Sequence, residues 1–133
     1  MARAYTVGTV ALALAIPTKW VDNILSHHTL EGVVQQRQGV SRKVTLEGVL
    51  QLALTINLIQ DLQVPTPTAL RLAALLTEAG GEHRTKAGLG IDVDLPRIQA
   101  HLERRLAEAV EITPIPKRGR PPQMTSSKTG RLD

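Results

Sequence analysis

The chain has 133 residues, 42% of them apolar, and a formal net charge of +4, which fits one small domain with a tail. With no cysteine it can hold no disulfide framework, thiolate metal site, cysteine nucleophile or iron–sulfur cluster. No apolar run reaches the roughly 18 residues that span a bilayer, so the expected setting is the cytoplasm, with no membrane partner.

Residues 7–16 follow Arg3 and are mostly apolar, the outline of a secretion signal. The positive region is a single residue, however, and the apolar core is short and rich in alanine. Val7, Val10, Ala11 and Leu14 fall at i, i+3, i+4 and i+7, and Thr6 can cap the first turn. A buried amphipathic helix is therefore expected. Pro17 interrupts it, and Pro17 or Thr18 opens a second helix with Val21, Ile24 and Leu25 as its apolar stripe. Lys19, Trp20, Asp22, Asn23 and Ser26 fall off that stripe. Trp20 is expected to pack rather than to touch a ligand, because aromatic rings favour burial. Helix, short turn, helix is the local form of a helix-turn-helix.

Residues 33–37 read as a strand, Gln38-Gly39 as a tight turn and residues 40–44 as the returning strand. Arg37, Arg42 and Lys43 make this hairpin basic. Directly behind a helix-turn-helix, such cations are expected to contact phosphates and position the reading helix. Thr45 then caps a long helix over about 46–61, built from Leu, Val, Ala and Ile. The core must be aliphatic, because Tyr5 and Trp20 are the only aromatic residues. Thr66-Pro67 opens a further helix to about residue 79, with Leu70, Ala73 and Ala74 on one face, and Gly80-Gly81 ends it.

Residues 80–93 hold four glycines and few apolar anchors, and read as a flexible linker. A last helix covers about 94–112, with Leu95, Ile98, Leu102, Leu106 and Ala109 forming a narrow stripe. That stripe fits a homodimer seam, or a helix folded back onto the preceding domain. Residues 113–133 are polar and rich in proline, the composition of a disordered tail. Charge separates the tail from the body. Residues 1–112 carry eleven bases and eleven acids, whereas Lys117, Arg118, Arg120, Lys128 and Arg131 face only Asp133 in the tail. An anionic partner reached by the tail is expected.

The stretches Tyr5-Thr-Val-Gly-Thr-Val-Ala, Ala15-Ile-Pro-Thr, Gly39-Val-Ser-Arg-Lys-Val-Thr-Leu-Glu-Gly-Val-Leu and Val64-Pro-Thr-Pro resemble the MerR family of bacterial transcription regulators, over about residues 5–76. The resemblance implies a winged helix-turn-helix, with the first helix pair in the major groove and the hairpin wing along the backbone. Two positions depart from the family pattern. Asp22 stands where an Arg is common, and Gln63 where a Gly usually precedes the second helix pair. The cysteines of metal-sensing members and the aromatic-lined domain of drug-sensing members are also missing. In the tail, Pro116-Lys-Arg-Gly-Arg-Pro-Pro resembles an AT-hook, in which Gly119 sits on the floor of a narrow minor groove while Arg118 and Arg120 run along it.

Catalytic and metal chemistry find no support. His27 and His28 are adjacent, so their side chains diverge, and His83 and His101 stand far apart. No serine lies in a nucleophile elbow, and Gly88-Leu-Gly90 opens no phosphate-binding unit. The expected protein is mainly α: a winged helix-turn-helix at 1–79 with a two-stranded wing, a linker, a C-terminal helix and a basic tail. It is expected to bind double-stranded DNA through Thr18, Lys19, Asn23, Arg37, Arg42, Lys43, Arg118, Gly119 and Arg120, without enzyme activity, metal or cofactor. Asn suits adenine, Lys suits guanine, and Asp22 could accept from cytosine. Two other outcomes stay open: a DNA-architectural, excisionase-like factor, and an antitoxin-like adaptor whose 95–110 helix grips a protein partner.

Overall fold

The structure is a computed structural model that describes residues 4–28, 30, 32–34 and 42–112. It is mainly helical. In chain order the elements are β1 (Ala4–Thr6), α1 (Val7–Leu14), α2 (Thr18–His27), β2 (Val33–Val34), β3 (Lys43–Thr45), α3 (Leu46–Leu62), α4 (Thr66–Glu78), β4 (Glu82–Arg84), β5 (Gly90–Asp92) and α5 (Leu95–Ile112).

Threonine starts both helices that emerge directly from a strand. Thr6 Oγ1 accepts the Thr9 N–H at 3.2 Å to open α1, and Thr45 Oγ1 accepts the Gly48 N–H at 3.4 Å to open α3. Each hydroxyl satisfies one backbone donor of a first turn, which has no helical partner of its own. The ends are less conventional. Ala15 closes α1 and Gln63 closes α3, both at φ 58°, in the left-handed region that side chains disfavour. Each end is held by a backbone bond that reaches back past the last turn, a six-to-one bond from Ile16 N–H to Ala11 O at 3.0 Å and a wider one from Val64 N–H to Leu58 O at 3.1 Å. Gln63 thus stands at a position whose backbone favours a glycine.

Strands β1, β3 and β2 form an antiparallel sheet in that order, with Tyr5 opposite Val44 and Val33 opposite Val44 on the other side. The two-stranded hairpin expected from the sequence therefore has a third strand, β1, along its inner edge. Val44 at the centre is fully buried, while Lys43 next to it is exposed, as the strand alternation requires. Gly32 leads into β2 at φ +88°, and a Cβ there would collide with Thr45 Oγ1 and stand 2.9 Å from the Gly48 nitrogen. The sheet and the N-cap of α3 meet too closely for any side chain. The turn expected at Gln38-Gly39 lies outside the described residues.

One aliphatic core joins α1, α2, β3, α3 and α5. Val10, Val21, Val44, Val49, Leu52 and Leu106 are its fully buried members. Helix α5 packs chiefly on α1, and α3 on α4. Leu102, Leu106 and Ala109 are buried against the core, and Leu95 and Ile98 are partly buried beside it. Of the two outcomes expected for Leu95, Ile98, Leu102 and Leu106, a homodimer seam or a helix folded back onto the preceding domain, the structure shows the second. The stripe is already covered within one chain, so in this arrangement it offers neither a second copy nor a protein partner an apolar face.

The flexible linker expected at 80–93 is corrected as well. Residues 82–84 and 90–92 pair as an antiparallel hairpin, β4–β5, with His83 opposite Ile91. Gly81, at φ +107°, accepts the Val93 N–H at 2.8 Å and donates its own N–H to Leu76 O at 2.8 Å. It thereby ties the end of α4 to the start of α5. Ile91 and Val93 pack on a second small cluster of Leu54, Ala73 and Leu76. Among the described residues, no helix is long and apolar enough to cross a membrane.

Leu106→Ala should lower the unfolding free energy by about 2–5 kcal/mol, the range for a large buried side chain removed from a packed core. Because the contact is internal, the urea midpoint of the parent should not move with protein concentration. Gln63→Gly should raise stability by about 1 kcal/mol by relieving a left-handed side-chain residue, and its thermal midpoint should rise accordingly.

Candidate nucleic-acid interface

The corner between α1 and α2 is short: Ala15 and Ile16 turn the chain and Pro17 caps α2 with extended backbone. Val21, Ile24 and Leu25 are buried, as the sequence stripe requires. The opposite side of α2 is polar and open. Lys19, Asp22, Asn23, Ser26 and His27 are exposed there, which brings Lys19 and Asn23 together, while Thr18 is exposed at the first turn, on the Leu25 side of the helix. Each can reach outward to donate or accept. The backbone of Asn23 is engaged separately: its carbonyl accepts from His27 Nδ1 at 2.9 Å, one turn later.

Lys43 is exposed in β3, where it pairs with Thr6 on one side and Val34 on the other, and the half-buried Arg42 precedes it. Both cations are held at the start of a strand whose centre, Val44, is locked in the core. Among the described residues, no carboxylate forms an ion pair with Lys19, Arg42 or Lys43. The remaining residues expected at the interface, Arg37, Arg118, Gly119 and Arg120, lie outside the described residues.

Trp20 is partly buried against the main core. It sits four residues before Ile24, so its ring falls on the flank of the buried stripe rather than at the centre of the polar face. With Ile16, Pro17, Ile56 and Ile59 it borders a shallow depression of about 250 Å³. The preference of the ring for packing holds, and its neighbours in this depression come from the corner and from α3.

No protein-family model matches the chain, and no curated protein or solved structure gives a match.

Trp20→Ala should lower the unfolding free energy by about 2 kcal/mol, somewhat less than a fully buried aromatic costs. Urea denaturation followed by circular dichroism checks this, and an unchanged midpoint would mean that the ring contributes no packing.

Proposed function

We propose that the protein is a sequence-specific double-stranded DNA-binding protein, a transcription regulator of winged helix-turn-helix type. Helix α2 enters the major groove, and the strands β2 and β3 lie along the phosphate backbone. The observation that carries this reading is the exposed polar face of α2, opposite a buried apolar stripe, with Lys43 on the adjoining sheet and Arg42 just before it, neither ion-paired among the described residues. The order of elements through α4 also agrees with what the resemblance to MerR-type regulators implies.

In this mechanism the protein performs no covalent step. Phosphate contacts from Arg42, Lys43 and Arg37 fix register, and Thr18, Lys19 and Asn23 meet base edges. Asp22 disfavours a nearby phosphate, so that part of α2 is better suited to a base, such as a cytosine amino group, than to the backbone. The tail adds minor-groove contacts through Arg118, Gly119 and Arg120 and holds the domain near DNA between encounters.

Binding of the full chain to duplexes across a range of salt tests the division of labour. Replacing Arg42 and Lys43 with Gln should weaken binding to all sequences and reduce the salt slope by roughly 0.9 for each phosphate no longer neutralised. Asn23→Ala should relax preference at one base pair and leave that slope unchanged. Gly119→Ala, which alters no charge, should weaken binding on A·T-rich flanks and spare G·C-rich ones. A double Arg42/Lys43 variant that binds like the parent at every salt concentration overturns the proposal.

A further inference from the structure

A second feature of the surface lies apart from the residues proposed to meet DNA. The end of α1, the second half of α3 and the first turns of α5 enclose an open-sided cleft of about 610 Å³. Its floor is apolar: Ala53, Ile56 and Leu102 are buried, and Leu14 and Ile98 are partly so. Its rim is cationic. Its charge comes from Arg97, Arg104 and Arg105, with His101 one turn after Arg97 and three residues before Arg104 along α5.

Among the described residues, the acids near this rim form no ion pair with its arginines. Asp94 is the one carboxylate in the lining, and its Oδ1 accepts the backbone N–H of Arg97 at 3.1 Å, capping α5. Glu103 lies outside the lining, where it accepts from Gln99 Nε2 at 3.3 Å. Arg104 Nη2 donates to His101 Nδ1 at 3.3 Å, so these two hold each other beside the opening. Among the described residues, no carboxylate forms an ion pair with Arg97, Arg104 or Arg105.

We propose that this cleft binds a small amphiphilic anion, a molecule with one acidic head group and a short aliphatic body. The apolar floor takes the body and the arginine rim takes the head, by charge-assisted hydrogen bonds in which guanidinium nitrogens donate. The volume is that of a small-molecule site, which typically spans about 300–1,000 Å³. A protein partner would need roughly 800 Å² on each side, more than three short segments around one cleft supply. The proposal is independent of DNA binding.

The test uses the intact, isotopically labelled protein with octanoate and octan-1-ol as probes, one charged and one neutral with the same chain length. Octanoate should bind with Kd below 1 mM and shift amides of Leu14, Ile56, Ile98 and His101, at least tenfold more tightly than octan-1-ol. Changing Arg97, Arg104 and Arg105 together to Gln removes the charges and shortens each aliphatic stem by only one methylene. It should cost octanoate at least tenfold, about 1.4 kcal/mol, and leave octan-1-ol unchanged. Binding weaker than 1 mM, equal affinity for the two probes, or shifts centred elsewhere each overturn the proposal, as does a folded triple variant that binds octanoate like the parent. If the triple variant does not fold, the comparison of the two probes on the parent protein decides alone.

Discussion

An eight-residue helix cannot hold itself together in water, and both the docking of α2 and the seat of α5 depend on α1. Its stability comes from being covered. Thr9, Val10, Ala11 and Ala13 are buried, the first turn is capped by Thr6 at the end of β1, and α5 lies across its back. Alanine at 11 and 13 keeps α1 slim, so neighbouring elements can close around it. Leu106, fully buried, anchors the far side of that closure. The C-terminal helix is thus part of the same core as the helix-turn-helix corner.

That arrangement bears on function through rigidity. The turn over Ala15 and Ile16 is set by a left-handed residue and a six-to-one hydrogen bond, and Val21, Ile24 and Leu25 bolt α2 to the core. A helix fixed on one side presents the other as a preformed surface. Recognition by such a surface avoids most of the ordering cost that a flexible segment would carry. The sheet extends the same logic. Val44 locks β3 into the core, so Arg42 and Lys43 are carried on a fixed strand.

Much of this was legible in the sequence where short-range chemistry decides it. Thr6 and Thr45 announce their helices, Pro17 and Thr66-Pro67 mark starts, and the stripe Val21, Ile24, Leu25 names the buried face of α2. The exposure of Lys19 and Asn23 follows from the same periodicity, whereas Thr18, in line with Leu25, is exposed because it stands in the first turn. Other features were hidden for physical reasons. Strand β1 is three residues long, too short to show alternation, and exists because β3 offers it an edge. The β4–β5 hairpin looked like a linker because its residues are polar and glycine-rich, and its inward anchors are only Ile91 and Val93. The stripe on α5 identified which residues would be covered, but periodicity cannot say what covers them. The cleft was invisible because α1, α3 and α5 meet there only after folding.

The central claim is that the polar face of α2, backed by α1 and α5, is the surface that meets DNA. Amide chemical-shift mapping of the intact protein, titrated with a duplex selected from a random pool at physiological salt, tests it most directly. Shifts concentrated at Thr18, Lys19, Asn23, Arg42 and Lys43, with Leu102 and Leu106 unmoved, are the predicted result. Shifts confined to α4 or α5, or no saturable binding to any selected duplex, would contradict it.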